Sequence, residues 1–145
     1  MDINGLPLPQ LLEELIAQRR WRMPADQMLL KQLTGIRQTK HLRFLGIDAM
    51  IRETNGAYTI VAQGYAATYA LASSKQAQAP IEDVKLLDID KAVLVAINKD
   101  EETIHLDYRT SLDDPRVLTS TWVGNGVVWK VAAASFSSFV AQLGL

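Results

Sequence analysis

The chain has 145 residues, with 15 Lys+Arg against 16 Asp+Glu and no cysteine. Those figures describe one ordinary domain, long enough to bury a hydrophobic core without covalent staples. They exclude disulfides, thiolate metal ligands and a cysteine nucleophile, and a net charge of −1 argues against a nucleic-acid binder with a general basic excess.

Met1-Asp2-Ile3-Asn4-Gly5 lacks the basic and long apolar stretches of a secretory signal, and no run approaches the ~18 apolar residues of a membrane helix. A cytoplasmic protein with no membrane partner is expected. Leu8, Leu11, Leu12, Leu15 and Ile16 follow the rhythm of one helix face, with Pro9 suited to the first turn. A second helix is expected from Pro24 or Ala25, with Met28, Leu29 and Leu33 inward and Gly35 as its stop. Phe44–Glu53 reads as a short helix opening near Asp48, followed by strands at Tyr58–Gln63 and Ala66–Ala72 around Gly64. Ser73–Pro80, small and polar and closed by proline, reads as a surface loop.

Val93–Ile97 is continuously apolar, as in a central strand covered on both faces. Thr103–Tyr108 alternates polar with apolar and predicts a half-buried strand after an Asn98–Glu102 hairpin loop. Arg116–Trp122 and Val127–Val131 form a further pair, joined across Gly124-Asn125-Gly126. Ser135 then caps a helix whose Phe136, Phe139, Val140 and Leu143 share one face, with Gly144 ending it. The prediction is a single α+β domain over residues 1–145. Its one antiparallel sheet of about six strands is flanked by N-terminal and C-terminal helices, and one sheet face is left partly open.

The near-zero net charge is a cancellation. Arg19–Arg43 holds seven basic residues and one acid, whereas Glu82–Asp114 holds ten acids and four bases. Solvated faces account for most such runs. Arg19-Arg20-Trp21-Arg22 pairs cations with an aromatic ring, but a helix end with Trp21 folded onto the core explains it as well.

Few residues offer chemistry. His105 and Asp107, two apart on a strand, share a face and form the best acid/base pair, although an exposed polar strand face gives the same pattern. Asp88 and Asp90 lack the glycine and glutamate of a calcium loop and read as a turn leading into a strand. Gly124-Asn125-Gly126 lacks the lysine and helix of a phosphate loop, and Ser135, Ser137 and Ser138 lack a nucleophile elbow.

A pattern runs through Ala92–Ile97, Leu106-Asp107-Tyr108-Arg109, Asp114-Pro115-Arg116-Val117, Trp122, Trp129 and Ser135-Phe136-Ser137-Ser138-Phe139-Val140, ending in Leu143-Gly144-Leu145. In that order these resemble the ending of SUKH superfamily domains, and Leu6-Pro7-Leu8-Pro9 leading to Trp21 and Pro24 is similar to one branch. The chain departs from the family in lacking an Asn-Gly-Gly element after the first helices; Thr54-Asn55-Gly56-Ala57 is the nearest stretch.

The resemblance implies an α+β fold and offers no catalytic motif; no cofactor or metal is expected. It also implies function by protein binding, with many bacterial members neutralising a nuclease- or deaminase-type toxin of interbacterial polymorphic-toxin systems. Others resemble fungal cell-wall-assembly regulators, so a housekeeping scaffold binding an endogenous protein is the second reading. A small hydrolase using His105 and Asp107 is the third. On the first reading, the acidic segment faces the cationic groove of the toxin. Asp88, Asp90, Asp100, Glu101, Glu102, Asp113 and Asp114 are then the expected contacts. No nucleic-acid partner is expected, and the oligomeric state stays open.

Overall fold

Asn4-Gly5 sets the first turn of the chain. Both residues have positive φ (54° and 79°), as a type I′ turn requires, so Asp2–Ile3 (β1) pairs antiparallel with Leu6–Pro7 (β2). The computed structural model describes residues 1–60, 87–123 and 126–145. Helix α1 (Gln10–Ala17) follows directly on Pro9 and buries Leu12 and Leu15. Helix α2 (Gln27–Thr34) is capped by the Asp26 carboxylate, which accepts the Leu29 N–H at 3.0 Å, and closes at Gly35 with φ 72°.

The inward face of α2 differs from the expected one. Met28 is 64% exposed, while Leu30 and Thr34 are buried and Leu29 and Leu33 sit partly buried beside them. The cap at Asp26 starts the helix later than Pro24, and the face is set by contacts with the sheet. There the Thr119 hydroxyl donates to the Thr34 carbonyl at 2.6 Å, and the Lys130 ammonium to the Gln32 carbonyl at 2.9 Å. These two donors satisfy carbonyls that the helix end leaves free.

A 3-10 turn (Thr39–His41) leads into β3 (Arg43–Phe44), and α3 runs over Ile47–Ile60. Phe44, expected to begin a helix, is therefore a strand residue. Tyr58–Ile60, expected to open a strand, closes α3 instead. The helical spacing Ile47, Met50, Ile51, Thr54 explains the longer helix: Met50 and Thr54 are buried, and the Thr54 hydroxyl accepts the Leu94 N–H at 3.1 Å. The rest of that strand pair, residues 61–63 and 66–72, and the loop over 73–80 lie outside the described residues.

A 3-10 turn (Ile89–Lys91) leads into β4 (Ala92–Ile97), followed by β5 (Thr103–Asp107), β6 (Arg116–Val123) and β7 (Gly126–Ala133). With β3 they form a five-stranded antiparallel sheet in the order β3-β4-β5-β6-β7. The fold is α+β, but among the described residues the sheet has five strands and the N-terminal hairpin stands apart, in place of one sheet of about six. Strands of two residues, such as β1, β2 and β3, are too short to show a period.

Helix α4 (Phe136–Leu143) begins at Ser135, whose hydroxyl accepts the Ser138 N–H, and ends at Gly144 with φ 70°. Its Phe136, Phe139, Val140 and Leu143 join Leu12, Leu15 and Leu30 in the main core. That core covers the sheet face carrying Val93, Leu106, Val117 and Ala133, which the strand register places side by side. Trp21 closes one side of it, edge-on to Phe44 (centroids 4.7 Å apart) and tilted against Phe136 (5.7 Å). The arginines around Trp21 thus flank a core residue.

The opposite face carries Leu94, His105 and Leu118 in one register row, and Thr103, Ser120 and Trp129 in the next. All six are buried. The half-buried strand expected from the alternation, and the open face expected opposite the helices, are thereby corrected. Strand β5 is the middle of five strands, and its alternation records that one face is polar, whether or not that face meets water.

Candidate functional site

His105 and Asp107 share that second face, as their spacing predicts, but neither meets solvent: they are 2% and 0% exposed. Asp107 is held by two guanidiniums. Arg109 donates from Nε at 2.9 Å and from Nη2 at 3.1 Å, and Arg116 donates from Nε at 2.8 Å, with its Nη2 2.7 Å away. The Arg109 backbone N–H adds a bond at 3.1 Å. Burial alone would raise the carboxyl pKa, yet the bonds from Arg109 and Arg116 outweigh it and hold the group below its ordinary value.

Burial pushes the His105 pKa down to about 3, with the Asp107 charge opposing only in part. The ring stays neutral, with Nδ1 3.1 Å from the Thr103 hydroxyl, which lies 2.6 Å from that of Ser120. Trp129 packs on it with centroids 5.5 Å apart. A general base must reach the proton it abstracts. Here the imidazole is enclosed and the carboxylate is occupied by arginines, so the pair forms an interior polar cluster.

The seven acids expected to make one surface are divided between the two ends of the β4–β5 hairpin. Ala92 pairs with Asp107 at one end and Ile97 with Thr103 at the other. A six-residue strand puts roughly 20 Å between those ends. Asp88 and Asp90 precede β4 and Asp113 and Asp114 follow β5, so these four lie at the first end. Asp100, Glu101 and Glu102 lie at the second.

Their environments differ as much as their positions. At the first end Asp88, Asp90 and Asp113 are exposed. Asp88 accepts the Asp90 N–H at 3.1 Å, which is the turn expected there. Asp114 is half-buried and accepts the Ser137 N–H at 3.0 Å and its hydroxyl, fastening the start of α4. At the second end Asp100 and Glu101 are exposed, whereas Glu102 is 2% exposed and turned inward. Its carboxylate accepts the backbone N–H groups of Arg37 (3.2 Å) and Gln38 (3.2 Å), the Asn98 amide (2.9 Å) and the Thr121 hydroxyl. Burial raises its pKa, but these bonds together lower it below the ordinary value. Glu102 is an internal fastener, so the partner contact expected of it is withdrawn.

Two features were not read from the sequence. Leu112 is 55% exposed beside Asp113. A single apolar residue inside Ser111-Leu112-Asp113-Asp114 was its only signal. The second is a pair of adjoining concavities at the Glu102 end, of about 560 and 420 Å³, which share Lys99. Part of the basic run (Arg37, Lys40, Arg43) folds against part of the acidic run (Asp100, Glu101) there, a meeting of distant segments that no local pattern announces.

Among the described residues, no three His, Asp or Glu side chains gather as a metal site, and no helix is long and apolar enough to cross a membrane. Comparison with protein-family models, curated proteins and solved structures finds no match.

Proposed function

We propose that the chain is a non-catalytic protein-binding domain that acts in the cytoplasm as an immunity protein, sequestering a nuclease- or deaminase-type toxin of an interbacterial system. The reading rests on the resemblance of the 92–145 region to the SUKH superfamily. The observation that carries the contact surface is the acidic end of the sheet, where Asp88, Asp90 and Asp113 are exposed around the start of β4 and the β5–β6 loop, with the exposed Leu112 among them. Exposed carboxylates steer a basic partner into register and stand in for the phosphates of its substrate. An exposed leucine supplies the apolar anchor around which such interfaces concentrate their energy.

The burial of His105 and the double arginine clamp on Asp107 weigh against the hydrolase reading. The test is a growth assay in a bacterium expressing a toxin domain encoded beside this chain's gene. The reading expects growth to be restored by the chain and a stoichiometric complex to form from purified components. Growth arrest that persists in the presence of soluble, folded chain, with no complex, overturns it.

A further inference from the structure

The end of the sheet opposite Asp88 and Asp113 carries a surface of the other sign. Arg37, Lys40, Arg43 and Lys99 are all exposed there, and among the described residues none of the four side chains is in an ion pair. They line the two adjoining concavities, which meet at Lys99. The depression adjoins the edge of the sheet, since β3, which contains Arg43, is the outermost strand on that side among the described residues.

Two buried side chains hold its walls in place. Glu102 ties the Arg37–Gln38 backbone to the β4–β5 turn, and the Asn98 side chain accepts the Glu102 N–H at 2.9 Å and the Asp100 N–H at 3.0 Å. The cations therefore sit on fixed backbone, which lowers the ordering cost of binding.

We propose that this depression is a second interaction surface, one that takes an extended acidic segment of a protein partner laid along the β3 edge. Four unpaired cations call for an anion. Among the described lining residues the one ring is the His41 imidazole, with no Trp, Tyr or Phe to form a stacking platform for successive nucleobases. Asp100 and Glu101 stand on one rim. They repel a phosphate chain, which is anionic at every unit, but accept a basic residue within an otherwise acidic peptide. The surface is independent of the acidic end and of the immunity reading.

The test is fluorescence anisotropy at low salt with a fluorescein-labelled peptide of alternating glutamate and serine that carries one central lysine. At roughly twelve residues the peptide is long enough to outreach the depression. An oligothymidylate of equal length serves as the comparison. The expected result is saturable peptide binding that weakens about tenfold or more in the double variant Lys40→Glu/Arg43→Glu, and again in Lys99→Glu. Asp113→Lys, at the far end, leaves it unchanged. All the substituted side chains are exposed, and circular dichroism verifies that each variant is folded. Absent peptide binding, binding indifferent to the charge reversals, or tighter binding of the oligothymidylate overturns the proposal.

Discussion

Two carboxylates are buried at opposite ends of the β4–β5 hairpin, and the protein accommodates them by different means. Asp107 sits between two guanidiniums, one of them, Arg116, only 7% exposed. Glu102 is surrounded by neutral donors: two backbone N–H groups, an amide and a hydroxyl. Removing a carboxylate from water costs several kcal/mol unless donors replace the solvent. Either counter-ions or dipoles will serve, and in both places the folded state keeps the acid ionised. Each acid joins parts of the chain that local sequence does not relate: Glu102 joins the β4–β5 turn to residues 37–38, and Asp107 joins β5 to the first residue of β6. Both had been candidates for function, one as half of an acid/base pair and one as a partner contact. Both prove to be fasteners, and the exposed charges at the two ends are those that face solvent.

The largest expected effect separates the two arrangements. Asp107→Ala removes the carboxylate that both guanidiniums bind, and breaking a buried ion pair costs about 3–5 kcal/mol. Chemical denaturation monitored by tryptophan fluorescence reads the loss. Glu102→Ala orphans only neutral donors, two of them on exposed residues that water can reach, so about 2 kcal/mol is expected. Glu102→Gln, which keeps one acceptor oxygen, should recover part of that loss, whereas Asp107→Asn should recover little. Equal losses in the two amide variants would erase the distinction.

Titration sharpens the contrast further. The two carboxylates have lowered pKa values, so their stabilisation is present above the unfolded values near 4 and is lost as pH falls through the lower folded values. His105 acts earlier. Its folded pKa is about 3 against 6.5 when unfolded. Between those values the unfolded chain binds a proton that the folded chain excludes, and stability falls as pH drops. The slope approaches about 1.4 kcal/mol per pH unit well below 6.5. In His105→Gln the decline between about pH 6 and 5 should largely vanish, since the carboxylates have not yet begun to titrate. An unchanged slope would mean that His105 is accessible in the folded state.

The smallest effect lies away from both ends. Arg19 follows α1 with φ 58°, a conformation that costs an L-residue roughly 1 kcal/mol and glycine nothing. Arg19→Gly should therefore raise the denaturation midpoint slightly, in a region where neither carboxylate takes part.

Much of the fold was legible where a period ran long enough or a cap was chemically explicit. Ser135, the paired phenylalanines and Gly144 defined α4, and the apolar and alternating runs defined β4 to β7 within two residues at each end. The N-terminal hairpin was missed although Asn4-Gly5 is a strong turn signal, because each of its strands is only two residues long. Met28 was misplaced because the face of a two-turn helix depends on what it packs against. The site was less legible than the fold. Whether an acid is surface or fastener depends on donors distant in the chain, such as Thr121 for Glu102 and Ser137 for Asp114. Only the exposure of Asp88, Asp90, Asp100, Glu101 and Asp113 agrees with a surface role.

The most direct test of the proposed function is the association rate with the toxin domain encoded beside this chain, measured across salt concentrations. The comparison is between wild type and the triple variant Asp88→Lys/Asp90→Lys/Asp113→Lys. The account predicts association slowed by about tenfold or more in the variant, with the wild-type decline at rising salt abolished. Equal rates and equal salt dependence in the two proteins would contradict it.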